Sequence, residues 1–341
     1  MYAITKNDGM YVSNDHGRVF QSVSTPFHGS ISIATDASGK YVYVISVNAT
    51  VFRSTDSGSS WMEIDMTSIS DHQKHQLTSI SVSSGGLRVF ITNSRDSIFK
   101  SGDYGDNWEV SFNDRMESDV KYSFISSASS SSGEMVFAIT QMSKGMIIKS
   151  ENNGTSYSEW KEFPFLLQGE STDIACSSSG KNVYVTTGNV DGFIYQSNSG
   201  GTQWREVDGG NVLPRQRYSA ITTSKNGALV FATASNGIYV GSYGSDDATF
   251  VRTNSPELAW TSVATAKSNP EFLVAVGYST KSSTEKNQGV WISTDYGDNF
   301  LQVYESDMLL RAVAISANGK DRAKNHSLEF DFTHISYTPI S

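Results

Sequence analysis

Short runs of alternating or continuous apolar residues recur along the chain, each closed by glycine, serine or asparagine. One stretch displays the order: Leu77 to Val82 (LTSISV), a turn SSGG, Leu87 to Thr92 (LRVFIT), Ser97 to Ser101 (SIFKS), a polar turn, and Trp108 to Phe112 (WEVSF). β-Branched and aromatic residues at period two, bounded by turn formers, predict four consecutive strands. The same succession returns at STDIACSSSGKNVYVTTGNVDGFIYQSNSGGTQWREV and at RYSAITTSKNGALVFATASNGIYVGSYGSDDATFVRT.

The polar turn before the fourth strand carries the sharpest repeat, Ser-x-Asp-x-Gly-x-x-aromatic. Ser54 to Trp61 (STDSGSSW), Ser101 to Trp108 (SGDYGDNW) and Ser293 to Phe300 (STDYGDNF) match at every defining position, and Ser13 to Phe20 (SNDHGRVF) also fits. Two copies are worn, with Asn152 or Ser199 at the aspartate position; the second of these ends at Trp204. A seventh, at Gly241, is visible only from its flanking strands. The start positions 13, 54, 101, 150, 197, 241 and 293 lie 41, 47, 49, 47, 44 and 52 residues apart. Periods of this size belong to solenoids, propellers and arrays. Met1 to Thr5, Gly9 to Ser13 and Val19 to Val23 supply the last three strands of a unit whose first strand, Leu310 to Gly319, lies at the other end of the chain. The expected fold is therefore all-β: a single seven-bladed propeller of four-stranded antiparallel blades over residues 1–320. The N- and C-terminal strands share one blade, which closes the ring and removes its open sheet edges. Residues 321–341 match no part of the repeat and read as a C-terminal extension.

The octapeptide resembles the Asp-box, or BNR repeat, of sialidases, sortilin-type receptors, xyloglucan-cleaving glycoside hydrolases and photosystem II assembly factors. The resemblance spans residues 1–320 and implies that each box is the turn between the third and fourth strands of a blade. Residue chemistry agrees. Asp15, Asp56, Asp103 and Asp295 and their serines are suited to accept backbone N–H groups. Gly17, Gly58, Gly105 and Gly297 supply positive φ, and Trp61, Trp108, Trp204 and Phe300 open the last strand. A residue repeated in several blades is a turn fastener, because an active site occurs once. Asp103 to Asn107 has the look of a calcium loop but lacks its remaining ligands and closing glutamate.

Composition narrows the partners. A formal charge of -9 disfavours nucleic acid and anionic membrane surfaces. No apolar run approaches the roughly 18 residues of a membrane span, so no insertion is expected. The opening MYAITKNDGMYVS alternates like a strand and has no signal-peptide pattern. The compartment stays open, with an extracellular setting suggested by the resemblance alone. Cys176, the single cysteine, reads as a buried strand thiol. His72 and His75 have metal-ligand spacing without a third ligand, and neither metal nor cofactor is expected.

Propeller ligands usually meet the face that carries the loops between fourth and first strands. Arg115, Asp119, Arg217 and Glu257 fall on those loops. Aligned first strands place Tyr122, Tyr218 and Trp260 in one ring at the strand start. The next ring is Ile31, Thr78, Ser123, Thr172, Ser219, Thr261 and Arg311, in which Arg311 is the only charge. Partly exposed aromatics beside these arginines would form a sugar-stacking or anion-binding mouth. The sialidase Arg-Ile-Pro signature is absent, and those enzymes have six blades. The xyloglucan hydrolases carry an early acidic residue where this chain reads Tyr2 to Lys6. The assembly factors agree in size and blade number. The expected function is a monomeric, non-catalytic binding or scaffold propeller for a protein or glycan. The alternative is an Asp-box glycoside hydrolase or polysaccharide lyase, for which hydrolysis needs two carboxylates about 5–9.5 Å apart.

Overall fold

The computed structural model describes residues 1–7, 9–69, 76–113, 123–140, 146–160, 171–188, 190–207, 213–243, 248–279, 288–306 and 308–319. Blade 1 combines both ends of the chain: β1 (Tyr2–Thr5), β2 (Met10–Val12), β3 (Gln21–Val23) and, as its innermost strand, β28 (Leu310–Ala314). Blade 2 is β4 (Ser30–Thr35), β5 (Val42–Ser46), β6 (Val51–Ser54) and β7 (Met62–Glu63). Blade 3 is β8 (Leu77–Val82), β9 (Val89–Asn93), β10 (Ser97–Ser101) and β11 (Glu109–Asn113). Blade 4 is β12 (Phe124–Ser129), β13 (Val136–Thr140), β14 (Ile147–Ser150) and β15 (Ser158–Trp160). Blade 5 is β16 (Ser171–Cys176), β17 (Val183–Thr187), β18 (Ile194–Ser197) and β19 (Arg205–Glu206). Blade 6 is β20 (Tyr218–Thr223), β21 (Leu229–Ala234), β22 (Gly237–Tyr243) and β23 (Ala248–Arg252). Blade 7 is β24 (Ala259–Thr265), β25 (Leu273–Tyr278), β26 (Gly289–Ser293) and β27 (Leu301–Glu305). All seven sheets are antiparallel, as the sequence repeat requires. Residues 321–341 lie outside the described residues.

Ring closure is the pairing of β28 with β1, in which Tyr2 faces Ala314, Ala3 faces Val313 and Ile4 faces Ala312. The core is distributed as seven wedges, one between each pair of adjacent blades. Ala3 and Leu310 of blade 1 pack with Val274, Val276 and Val290 of blade 7. Tyr43 and Ile45 of blade 2 pack with Ile80, Ile91 and Trp108 of blade 3. Second strands sit between two wedges, so β5, β9, β13 and β17 are buried at every residue and read as continuous apolar runs. Fourth strands form the rim and are far more exposed, as in β3, β7 and β11.

Tyrosines of second-strand positions tie neighbouring blades together. The Tyr2 hydroxyl donates to the Gly39 carbonyl at 2.8 Å, that of Tyr43 to Gly86 at 3.3 Å and that of Tyr184 to Gly227 at 2.8 Å. From β6 the Arg53 guanidinium donates to the Tyr104 carbonyl and pairs with Asp106 at 2.7 Å in the next blade.

The octapeptide folds as one unit. In blade 3 the Gly105 N–H donates to Ser101 Oγ at 2.8 Å, and Ser101 Oγ donates to Asp103 Oδ1 at 2.8 Å. The Asn107 N–H donates to the same carboxylate at 2.9 Å, and Trp108 Nε1 donates to the Gly105 carbonyl at 3.0 Å. Gly105 has φ of 88°, and Tyr104 before it also has positive φ, 62°. Two successive left-handed residues are thus built into the turn, one more than the glycine alone predicts. The worn copies keep the pattern. Asn152 Oδ1 accepts from the Ser156 N–H at 2.9 Å, and Ser199 Oγ accepts from the Gln203 N–H at 2.8 Å. Blade 6, which lacks the signature, lays Phe250 over Gly241, where a Cβ would fall 2.5 Å from the ring.

Burial tends to raise the Asp103 carboxyl. Hydrogen bonds from the Asn107 side chain and amide, from Ser101 and from the Asp106 amide outweigh it and hold the carboxyl below its ordinary value. This contribution to stability is present above the unfolded value of 3.8 and is lost as pH falls through the folded value. Ser101 serves the buried Gly105 N–H, whereas the Asp103–Asn107 bond is exposed. Ser101→Ala should therefore cost about 1–3 kcal/mol and more than Asp103→Ala, as read by urea unfolding. The reverse order would show the carboxylate to be the main fastener.

Candidate functional site

Each inner strand carries a β-bulge near its start, at the second residue of six strands and the third of β24. The register breaks between Ser30 and Ser32, Leu77 and Ser79, Phe124 and Ser126, Ser171 and Asp173, Tyr218 and Ala220, and Trp260 and Ser262. In β28 the break leaves out Arg311. The seven bulged residues are therefore Ile31, Thr78, Ile125, Thr172, Ser219, Thr261 and Arg311. They line one cavity of about 560 Å³ at the strand-start end of the channel. Blade 4 is a correction to the expected alignment: Ile125, not Ser123, holds the bulge, and Phe124 holds the strand-start place expected for Tyr122. Tyr122 itself, with Arg115 and Asp119, lies outside the described residues.

The expected aromatic mouth is corrected as well. Tyr218 and Trp260 are 1% and 3% exposed and belong to the inter-blade core, with Trp260 alone of the two also bordering the cavity. Tyr218 packs edge-on against Tyr239, and Trp260 packs edge-on against Trp291. Each polar atom turns back onto its own preceding loop. The Tyr218 hydroxyl donates to the Pro214 carbonyl at 2.6 Å, and Trp260 Nε1 donates to the Pro256 carbonyl at 3.3 Å. Burial pushes the Tyr218 phenol above its ordinary range. A large aromatic at a strand start fills the wedge more favourably than it waits in water, at about 1.5–3 kcal/mol for a large side chain. Arg217 and Glu257 are exposed on the loops before β20 and β24 and lie outside the cavity wall.

The hydroxyls of the bulge ring are used by the fold. Thr172 Oγ1 donates to the Tyr218 carbonyl at 3.0 Å, Ser219 Oγ to the Trp260 carbonyl at 2.7 Å and Thr261 Oγ1 to the Leu310 carbonyl at 3.1 Å. One step deeper, small polar side chains accept from the next blade's inward-facing N–H. Ser32 accepts from Ile80 at 3.3 Å, Ser79 from Ser127 at 3.2 Å, Asp173 from Ile221 at 2.9 Å and Ser262 from Val313 at 3.4 Å.

Two charges remain in this wall, Arg311 on blade 1 and Asp173 on blade 5. Three blade steps separate them in one direction and four in the other, so they stand on opposite sides of the ring. Arg311 is exposed. Asp173 presents some surface to the channel, but its carboxyl sits deep within the ring, away from bulk solvent. Burial pushes it up to about 6, against hydrogen bonds from the Ile221 N–H, Ser126 Oγ and the Ile174 N–H that pull it down. Asp173 was not singled out from the sequence. A comparison of third-position residues, Ser32, Ser79, Ser126, Asp173, Ala220, Ser262 and Ala312, would have found it as the only charge.

The opposite end of the channel opens into a second cavity of about 440 Å³, whose wall includes Asp36, Lys225 and Lys267. Here seven backbone bonds form a closed circuit. Ala37 N donates to Ser84 O, Ser84 N to Ser131 O, Ser131 N to Ser178 O and Ser178 N to Lys225 O. Lys225 N then donates to Lys267 O, Ser268 N to Ala317 O and Ala317 N back to Ala37 O, all between 2.7 and 2.9 Å. No group of metal-ligating side chains is present among the described residues.

These features define a seven-bladed propeller of the octapeptide-repeat class, with a polar channel and one singular charge on each side of its strand-start mouth. A family model described as photosynthesis system II assembly factor YCF48 matches residues 29–300, and the chain belongs to that family. YCF48 from Cyanidioschyzon merolae is similar in fold at TM-score 0.59 and 14% identity, covering 83% of this chain and 87% of its own. A structure described as YCF48 bound to D1 peptide aligns with TM-score 0.59 and 15% identity over 83% of each chain. An ancestral GH74 enzyme aligns with TM-score 0.62 and 15% identity over 86% of this chain but 42% of its own. No curated protein sequence matches the chain.

The raised Asp173 carboxyl has a direct consequence for stability. Its folded value exceeds the unfolded 3.8, so its favourable contribution is complete below about pH 4 and is lost as pH rises through about 6. Asp173→Ser, which installs the residue blades 2, 3, 4 and 7 have at this place, should remove that slope. Between pH 4.5 and 7.5 the wild type should lose about 1–3 kcal/mol relative to the variant, channel water reducing the figure. Urea unfolding at both pH values measures it, and a constant difference would exclude the buried-carboxyl account.

Proposed function

We propose that the chain is a non-catalytic binding propeller that holds a protein partner against its strand-start face, with Arg311 as the anchoring charge. The observation that carries this reading is the wall itself. Its Thr and Ser hydroxyls are largely engaged between blades, while Arg311 alone extends exposed from the bulge ring. Exposed apolar side chains occur on the same face: Val47 in the loop after β5, and Met308 and Leu309 just before β28. The Lys6 N–H donates to the Leu309 carbonyl and the Val47 N–H to the Gly29 carbonyl, which fixes those loops beside the mouth. A cation flanked by apolar surface suits a peptide with a carboxylate next to apolar residues. Membership of the YCF48 family supports a protein partner, since a member of that family is described bound to D1 peptide. Arg217 and Glu257, exposed on the loops before β20 and β24, extend the proposed surface outward.

The glycan-cleaving alternative rests on the shared propeller fold with the GH74 enzyme. Hydrolysis by the general route needs a carboxylate pair, and Asp173 is the one carboxylate among the described residues of the mouth wall. A monomer with an open face fits the binding role.

Fluorescence anisotropy with a labelled D1 peptide, and with an array of acidic-apolar peptides, tests the reading. Arg311→Glu should weaken peptide binding about ten-fold or more at low salt, with unchanged urea unfolding. Release of sugar from xyloglucan without binding of any peptide would overturn it.

A further inference from the structure

We infer that the far end of the channel, opposite the Arg311 mouth, is an oxyanion site in which Lys225 and Lys267 hold a phosphate or carboxylate group. The two lysines occupy the same position in adjacent blades, where the other five blades have Ala37, Ser84, Ser131, Ser178 and Ala317. The Lys225 N–H donates to the Lys267 carbonyl at 2.7 Å, so the two backbones lie side by side in the closed circuit. Lys267 leans inward across blade 6, and its ammonium donates to the Cys176 carbonyl of blade 5 at 3.0 Å. An ammonium has three donors, so two remain for a guest. Lys225 is exposed and its ammonium has no partner among the described residues.

The rest of the wall fits the same guest. The Ser84 hydroxyl donates to the Ser131 carbonyl of the next blade at 3.0 Å, whereas the side-chain hydroxyls of Ser131, Ser178 and Ser268 have no partner among the described residues. The sole carboxylate of the wall, Asp36, is occupied. It accepts from the Tyr41 N–H at 3.0 Å, the Ser38 hydroxyl at 2.5 Å and the Ser38 N–H at 3.3 Å. A chain of net charge -9 has here set two cations at adjacent places without an acidic partner. Like charges so placed oppose each other, and an anion between them relieves that opposition and takes charge-assisted hydrogen bonds. The cavity of about 440 Å³ leaves room for a group carried on a larger ligand.

Isothermal titration calorimetry with inorganic pyrophosphate at low ionic strength tests the assignment. Saturable one-to-one binding is expected. The double variant Lys225→Gln/Lys267→Gln should weaken it about ten-fold or more, while Arg311→Gln leaves it unchanged. That last arm separates this site from the proposed peptide face. Competition by citrate would extend the site to carboxylates, and its failure would confine the site to phosphates. If the double variant does not fold, Lys225→Gln alone, at an exposed side chain, should weaken binding about three-fold or more. Absence of saturable binding by the wild type, or equal affinity in the folded lysine variants, would overturn the proposal.

Discussion

The inner strand of a blade has a sheet neighbour on one side only, and seven such strands turn their open edges toward a common axis. Backbone N–H and C=O groups left unpaired there would cost as much as lost hydrogen bonds, about 1–3 kcal/mol each where water is excluded. No eighth strand can fill the axis. The chain answers with partners drawn from the next blade: a ring of seven backbone bonds at one end, and hydroxyl and carboxyl acceptors nearer the other. Each blade thereby completes its neighbour, and the wedges of apolar side chains between blades act in the same direction. The joint between β28 and β1 matters for this reason. Without it one blade lacks its inner strand, and the circuit breaks at Ala317.

This constraint also explains where charge is tolerated. At the third inner-strand position a blade needs a short acceptor for the next blade's N–H, and serine meets the need in blades 2, 3 and 7. Asp173 meets it too, reaching the Ile221 N–H while also accepting from Ser126, at the expense of a carboxyl that resists ionisation. The bulge position is freer, since Ile31, Ile125 and Arg311 supply no hydroxyl there. Arg311 stands there, and the bulge directs it into the mouth. At the far end the circuit is closed by backbone bonds, so the side chains at 225 and 267 are not needed to complete it. Lysine at 225 and 267 therefore costs the scaffold no hydrogen bond.

The same division decides what could be read from the sequence. The blade count, the shared first blade and strands such as β8 and β10 were legible because period-two apolar runs and the octapeptide repeat are local signals. The turn chemistry was legible too, although the worn copies lose less than their sequence suggests, because Asn152 and Ser199 keep the aspartate's acceptor role. Alignment failed in blade 4, where a two-residue offset put Tyr122 in place of Phe124. The bulge is common to all seven blades, so the offset comes from the serine-rich run Ser126 to Gly133, which blurs where the strand ends and its turn begins. Tyr218 and Trp260 were misjudged for a related reason: a strand-start aromatic looks the same in sequence whether it faces the channel or the wedge. Their burial, their packing on Tyr239 and Trp291 and the hydrogen bonds to Pro214 and Pro256 show that the rings fill the wedges. Asp173 and the lysine pair went unnoticed because their significance comes from comparison around a ring, not along the chain.

A scaffold held by interlocking rings has little freedom to move one blade against another, since each displacement would break bonds on both sides. Recognition by such a molecule therefore depends on fixed positions that differ between blades, rather than on closure around a ligand. The bulge ring offers one such position at Arg311, set among side chains that the fold keeps occupied. The far ring offers two at Lys225 and Lys267, near the hydroxyls of Ser131, Ser178 and Ser268. A pseudo-symmetric ring acquires direction in this way: equivalent blades build a rigid channel, and a few inequivalent residues give its two ends separate chemistries.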